Sequence, residues 1–257
     1  MKAVTWLASG NVTVAGTLDL SGATPATLDT SQNAQLASNR ILPEPGPGGY
    51  IGGLGARGGL APETGAGPGG GPAGVVQISS YPSCFGGSAS YLSTGPTYNN
   101  GATSLTGSPY GSYLLVPLYG GSGGGGGLGS AAGLTGGIGG AGAGAIRIAS
   151  STQISVTGQI VAVGGNGGSV TGPSAGCPGG PGSGGAIHLI APTLLGNGGL
   201  VVRSGYILGS VSSKNGIVRL STTTNNFTGY APGYILGPLY LPPPTPLWPP
   251  LASASPP

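Results

Sequence analysis

Gly144-Ala145-Ile146-Arg147-Ile148-Ala149-Ser150-Ser151 carries the pattern from which the rest of the chain can be understood. Ile146 and Ile148 point one way and Arg147 the other, the period-two alternation of a half-buried strand. The same design returns in Ala3-Val4-Thr5-Trp6-Leu7, Ala186-Ile187-His188-Leu189-Ile190 and Ile217-Val218-Arg219-Leu220-Ser221. Residues 3–22 read as one coil of three short strands at 4–7, 12–14 and 18–20, parted by Ser9-Gly10 and Gly16. Residues 146–165 and 187–205 repeat that plan, and 217–229 give a degraded copy ending near Phe227. Short strands of one design recurring between turns predict the stacked coils of a solenoid. The expected fold class is therefore all-β: a right-handed parallel β-solenoid over residues 1–238 with almost no α-helix.

The equivalent strands start at Ile146, Ile187 and Val218, 41 and 31 residues apart. A coil needs only roughly 20 residues, so the excess is glycine-rich insertion at one corner. Three insertions stand out, at about 23–74, 79–145 and 164–185. Val75-Val76-Gln77-Ile78 reads as one strand of a further coil. The glycine runs, densest over 120–144, admit two readings. One is flexible linker. The other is extended threefold chains packed side by side as polyglycine II-like layers, with neighbouring backbones close enough to bond one another.

The 257 residues include 59 glycines and 25 prolines, about a third of the chain. That exceeds the roughly 25–30% at which a non-periodic chain is usually low-complexity. Yet only 4% of residues are charged and 38% are apolar, the reverse of the disordered balance of low hydrophobicity and high charge. A chain so poor in charge must pack or associate. The net charge of +3 is spread out with no basic cluster, which excludes the electrostatic footprint of nucleic-acid binding. No apolar run reaches the ~18 residues of a membrane span. With so few titrating groups, little sensitivity to acid is expected.

Cys84 and Cys177 both lie in Gly/Ser/Pro-rich loops. They read either as one disulfide joining two loops or as two free thiols, and their spacing excludes a C-x-x-C site. Residues 79–119 carry Tyr81, Tyr91, Tyr98, Tyr110, Tyr113 and Tyr119 among Ser, Thr, Asn and Gly. That is the composition of an adaptable recognition loop; equally, the rings serve as local cover for the glycine layer. The proline-rich tail, 239–257, suits polyproline II. Leu247 and Trp248 would anchor it on its own domain or on a neighbour, unless it is a free linker.

The acids are Asp19, Asp29, Glu44 and Glu63, and no two fall on corresponding strand positions. Glycoside hydrolysis needs two facing carboxylates, so the chain reads as non-enzymatic, with no cofactor or metal. Thr5, Arg147, His188 and Arg219 align as an outward ladder, read as a solvated outer face or, alternatively, as a row that meets anionic glycans or a neighbouring subunit's carbonyls. His188 is the only histidine, which leaves nucleophilic arrangements without support. Asn11-Val12-Thr13 and Asn226-Phe227-Thr228 fit the glycosylation pattern.

Gly-Thr-Leu-Asp-Leu-Ser-Gly (16–22), Gly-Ala-Ile-Arg-Ile-Ala-Ser-Ser (144–151), Ile-Val-Ala-Val-Gly-Gly-Asn-Gly-Gly (160–168) and Gly-Ser-Gly-Gly-Ala-Ile-His-Leu-Ile-Ala (182–191) carry a resemblance. Over most of residues 3–235 the chain resembles the glycine-rich β-helical surface proteins of bacteria. Its glycine layers are similar to the polyglycine-helix tips of phage tail-fibre adhesins. The resemblance implies an extracellular or cell-surface location, a leader removed before this numbering, and a structural or adhesive role. A solenoid end that starts near residue 3 leaves no room for a capping helix, so subunits are expected to stack as a homopolymer. The alternative is an adhesin for a glycan or a surface receptor, using the Tyr-rich segment.

Overall fold

The computed structural model describes residues 2–30, 41–75, 84–94, 106–129, 135–173, 175–207, 211–231 and 234–236. Among them there is no helix, and the strands are β1 (Val4–Ala8), β2 (Val12–Val14), β3 (Thr17–Asp19), β4 (Leu28–Asp29), β5 (Ala145–Ser150), β6 (Gln153–Val156), β7 (Gln159–Val161), β8 (Val170–Thr171), β9 (Ala186–Gly196), β10 (Gly199–Val201), β11 (Tyr206–Ile207), β12 (Val211–Ser212), β13 (Ile217–Phe227) and β14 (Tyr234–Leu236). The fold is all-β, with parallel strands in a curled half-barrel sheet.

The main sheet runs β1-β5-β9-β13-β14, every pair parallel. Strands β2 and β6 extend it against the second half of β9, and β3-β7-β10 form another parallel ladder. Register puts Val4, Ile146, Ile187 and Val218 in one column, and Trp6, Ile148, Leu189 and Leu220 in the next. Ile146, Ile187 and Val218 are at most 1% exposed. Ile154 stacks on Leu194, and Ile160 on Leu200, within the same core cluster. Full burial of each such side chain contributes about 1.5–3 kcal/mol, so the repeated columns hold the strands together.

Strand β1 pairs directly with β5 across the whole intervening insertion. Val75 is irregular, and residues 76–78 lie outside the described set. One expectation needs correction: the short strands expected after His188 and Arg219 merge, because β9 and β13 each run for 11 residues. Only Pro192 and Thr223 drop out of their ladder, since proline lacks the amide donor.

The glycine segments are built differently. From Gly121, Gly124 and Gly127, amides donate to Ala143, Gly140 and Gly137. Gly123 and Gly126 donate to Ala66 and Glu63, and Gly125 and Leu128 to Gly87 and Cys84. In return the carbonyls of Gly121, Gly124 and Gly127 accept from Tyr50, Gly53 and Ala56. Those of Gly123 and Gly126 accept from Gly71 and Gly74, and those of Ser122, Gly125 and Leu128 from Ser183, Gly180 and Cys177. Each partner segment is met every third residue, so the chain at 121–128 bonds six neighbours around its axis. Side chains would block that approach: a methyl on Gly126 would run into the Leu54 carbonyl oxygen, and one on Gly124 into that of Gly180.

Cys84 and Cys177 form a disulfide. It joins the two segments that bond Leu128 from either side. The tail 239–257, with Leu247 and Trp248, lies outside the described residues.

Candidate functional site

Strand register places Thr5, Arg147, His188 and Arg219 side by side on the face opposite the apolar columns. Thr5, on the edge strand, is exposed. The expectation of a solvated ladder fails for the rest: His188 is 4% and Arg219 8% exposed, and Arg147 is partly buried. The cover is a loop at 112–118. Arg147 Nη2 donates to the Leu115 carbonyl at 2.8 Å, and Arg219 Nη1 donates to the Leu114 carbonyl. Leu115 takes a left-handed backbone (φ 51°), a strained choice for a residue with a branched side chain. It thereby buries its own side chain in a small cluster with Tyr91, Ala145, Ala186 and Ile217. Small side chains at 145 and 186 make the room.

His188 is held at both nitrogens. Arg147 Nε donates to Nδ1 at 3.3 Å, and Nε2 lies 3.0 Å from Ser221 Oγ. An accepting Nδ1 assigns the proton to Nε2, which donates to the Ser221 hydroxyl. Burial first, then the guanidinium groups of Arg147 and Arg219, pull the His188 pKa down to about 4. Burial and Arg147 likewise lower that of Arg219, whose Nε makes no hydrogen bond. This arrangement offers no acid or base near neutrality and clamps a loop.

The clamp gives the fold one acid-sensitive group. The folded pKa of His188 lies below the unfolded value of 6.5. The unfolded chain therefore binds the proton first, and stability falls as pH drops from 6.5 to 4. Above that window the contribution is fully present, and the total loss is roughly 3 kcal/mol. Urea midpoints measured across this window should decline in the native chain and flatten in His188→Gln. An equal decline in both would refute the assignment.

The tyrosines divide. Tyr91 is 1% exposed, Tyr110 packs edge-on against it at 5.0 Å, and their hydroxyls donate to the carbonyls of Tyr119 and Gly120. Burial raises the pKa of both. They serve as local cover. Tyr113 (50% exposed) and Tyr119 (36%) face solvent with Leu114 and Val116, while Tyr81 and Tyr98 lie outside the described residues. Asn11 and Asn226 are exposed, and Asn11 Oδ1 accepts from Thr152 Oγ1. Among the described residues no three His, Cys, Asp or Glu side chains group as metal ligands, and no helix is long and apolar enough to cross a membrane.

Sequence reading missed the loop at 112–118. Its trace was there in Leu114-Leu115-Val116, an apolar trio set between Pro109 and Pro117. Comparison with protein-family models, curated proteins and solved structures found no match.

Proposed function

We propose that this chain is a β-solenoid subunit of an extracellular filament or cell-surface layer that assembles by end-to-end stacking, with its insertions packed as polyglycine II-like layers. The observation that carries the reading is the first rung. Among the described residues, strand β1 pairs on one side only, with β5, and β3 only with β7. On this open edge Trp6 is 46% and Leu7 79% exposed, and Val4, Val12 and Leu18 are only partly covered. An uncovered row of backbone groups beside apolar side chains is a template for another chain. At the far end β14 continues the column register with Ile235 beside Val218, so the Val4 of a second copy would extend it.

The three-residue bonding period of the glycine segments supports the layer assignment, and the Cys84–Cys177 disulfide fits an oxidising, extracellular setting. No catalytic role, cofactor or metal is assigned, and the partner is a copy of the same chain. A second reading, a receptor- or glycan-binding adhesin, draws on the solvent-facing group Tyr113, Leu114 and Val116 above the arginine clamp.

Electron microscopy and light scattering of the purified chain test the stacking. Filaments or concentration-dependent oligomers are expected, and Trp6→Lys on the open edge should return the chain to monomers without unfolding it. Uniform monomers of the native chain at high concentration would overturn the proposal.

A further inference from the structure

The corner where the coils turn beside β3, β7 and β10 carries a second feature. Register aligns Thr17, Gln159 and Gly199 on successive rungs, and a bridge from Gly199 adds Tyr230 on the next. The ladder beneath is continuous: Gln159 N donates to Gly16 O, Gly199 N to Gly158 O and Tyr230 N to Gly198 O, all at 2.9 Å. Side chains in one such column project in the same direction. Glycine at 199 therefore leaves a gap in an otherwise filled row. A Cβ there would press on the flexible Gln159 side chain, 3.3 Å from its Cγ and 3.6 Å from its Cδ, and next meet Val201 Cγ2 at 3.8 Å, so no backbone contact demands the glycine.

The gap opens a groove of about 430 Å³. Gln159 and Tyr230 flank it two rungs apart, roughly 10 Å between their backbones, with the flexible Gln159 side chain leaning toward the Gly199 position. Thr17, Thr157, Gln159 and Asn197 line the groove, all exposed. Their hydroxyls and amides make no hydrogen bond to other described residues and both donate and accept. The Tyr230 ring is 61% exposed and is steadied by Arg203, whose Nη2 donates to the Tyr230 hydroxyl at 2.6 Å with the guanidinium 5.9 Å from the ring centre. No acid or lysine lines the groove.

We propose that this corner groove binds a neutral oligosaccharide, with one sugar ring seated over Gly199 between the Gln159 amide and the Tyr230 ring. A sugar ring presents hydroxyls at its rim and apolar C–H faces above and below. The rim matches the mixed donor–acceptor side chains, and a face matches an aromatic ring. A charged ligand would find only Arg203, already engaged with Tyr230. The site lies along the side of the stack, so it stands whether or not subunits join end to end.

Titration calorimetry of the full chain with cellohexaose, chitohexaose, maltohexaose and a sulfated hexasaccharide tests it. Saturable binding of at least one neutral hexasaccharide is expected. Gly199→Val, which fills the gap without removing a polar group, and Tyr230→Ala should each weaken it at least about tenfold. Thermal unfolding of both variants near the native midpoint shows that the loss is local, while Tyr113→Ala should bind as the native chain does. Absence of binding by every neutral hexasaccharide overturns the proposal. So does binding that Gly199→Val leaves intact, or binding confined to the sulfated one.

Discussion

Gly126→Ala is expected to destabilise the chain by at least about 3 kcal/mol, at the upper end of the usual overpacking cost. The added methyl meets the Leu54 carbonyl oxygen, which belongs to backbone rather than to a yielding side chain. Gly126 is locked on two other sides as well, donating to Glu63 and accepting from Gly74, both at 2.9 Å. Relief would require one of these chains to shift, and each is bonded in turn to further neighbours. Gly10→Ala is the control: nothing lies within 4 Å of its Cβ position and the residue is exposed, so the change should stay within about 0.5 kcal/mol. Urea unfolding followed by circular dichroism separates the two. Equal midpoints would mean that the glycine layer is loose and that its three-residue bonding is not maintained in solution.

Ile187→Ala should cost about 3–4 kcal/mol. Ile187 is fully buried between Ile146 and Val218, and neither neighbour can close over the space because both are fixed by their own ladders. Against a typical domain stability of roughly 5–15 kcal/mol, that removes a large share. Ile41→Ala, at a residue 84% exposed, should change stability by less than about 0.5 kcal/mol. A loss below about 1 kcal/mol at 187 would show that the column is not the principal source of cohesion.

The parts of the fold that were legible in the sequence are those a short repeated pattern encodes. Ile146, Ile187 and Val218 each open a period-two run, so their meeting in one column followed from spacing alone. The length of β9 did not follow, because Pro192 reads locally as a break. In the fold the strand passes through it and loses only the pairing of that residue with Thr223. The burial of His188 and Arg219 was equally hidden: their cover comes from Leu114 and Leu115, more than 70 residues earlier in the chain and outside any periodic segment. A strand's own pattern tells which way its residues point, and it carries no record of what a distant loop lays over them. The groove at Gly199 belongs to the same class, since it exists only once Thr17, Gln159 and Tyr230 have been brought into line.

A flat sheet is strong along its hydrogen bonds and weak across them, where only side-chain packing resists sliding. Around residues 121–128 the amide and carbonyl bonds leave the chain toward six different neighbours. A sideways push from any quarter must therefore stretch hydrogen bonds rather than merely slip one layer over another. The glycine-rich segment is thus braced on every side, although its composition is that of a tether.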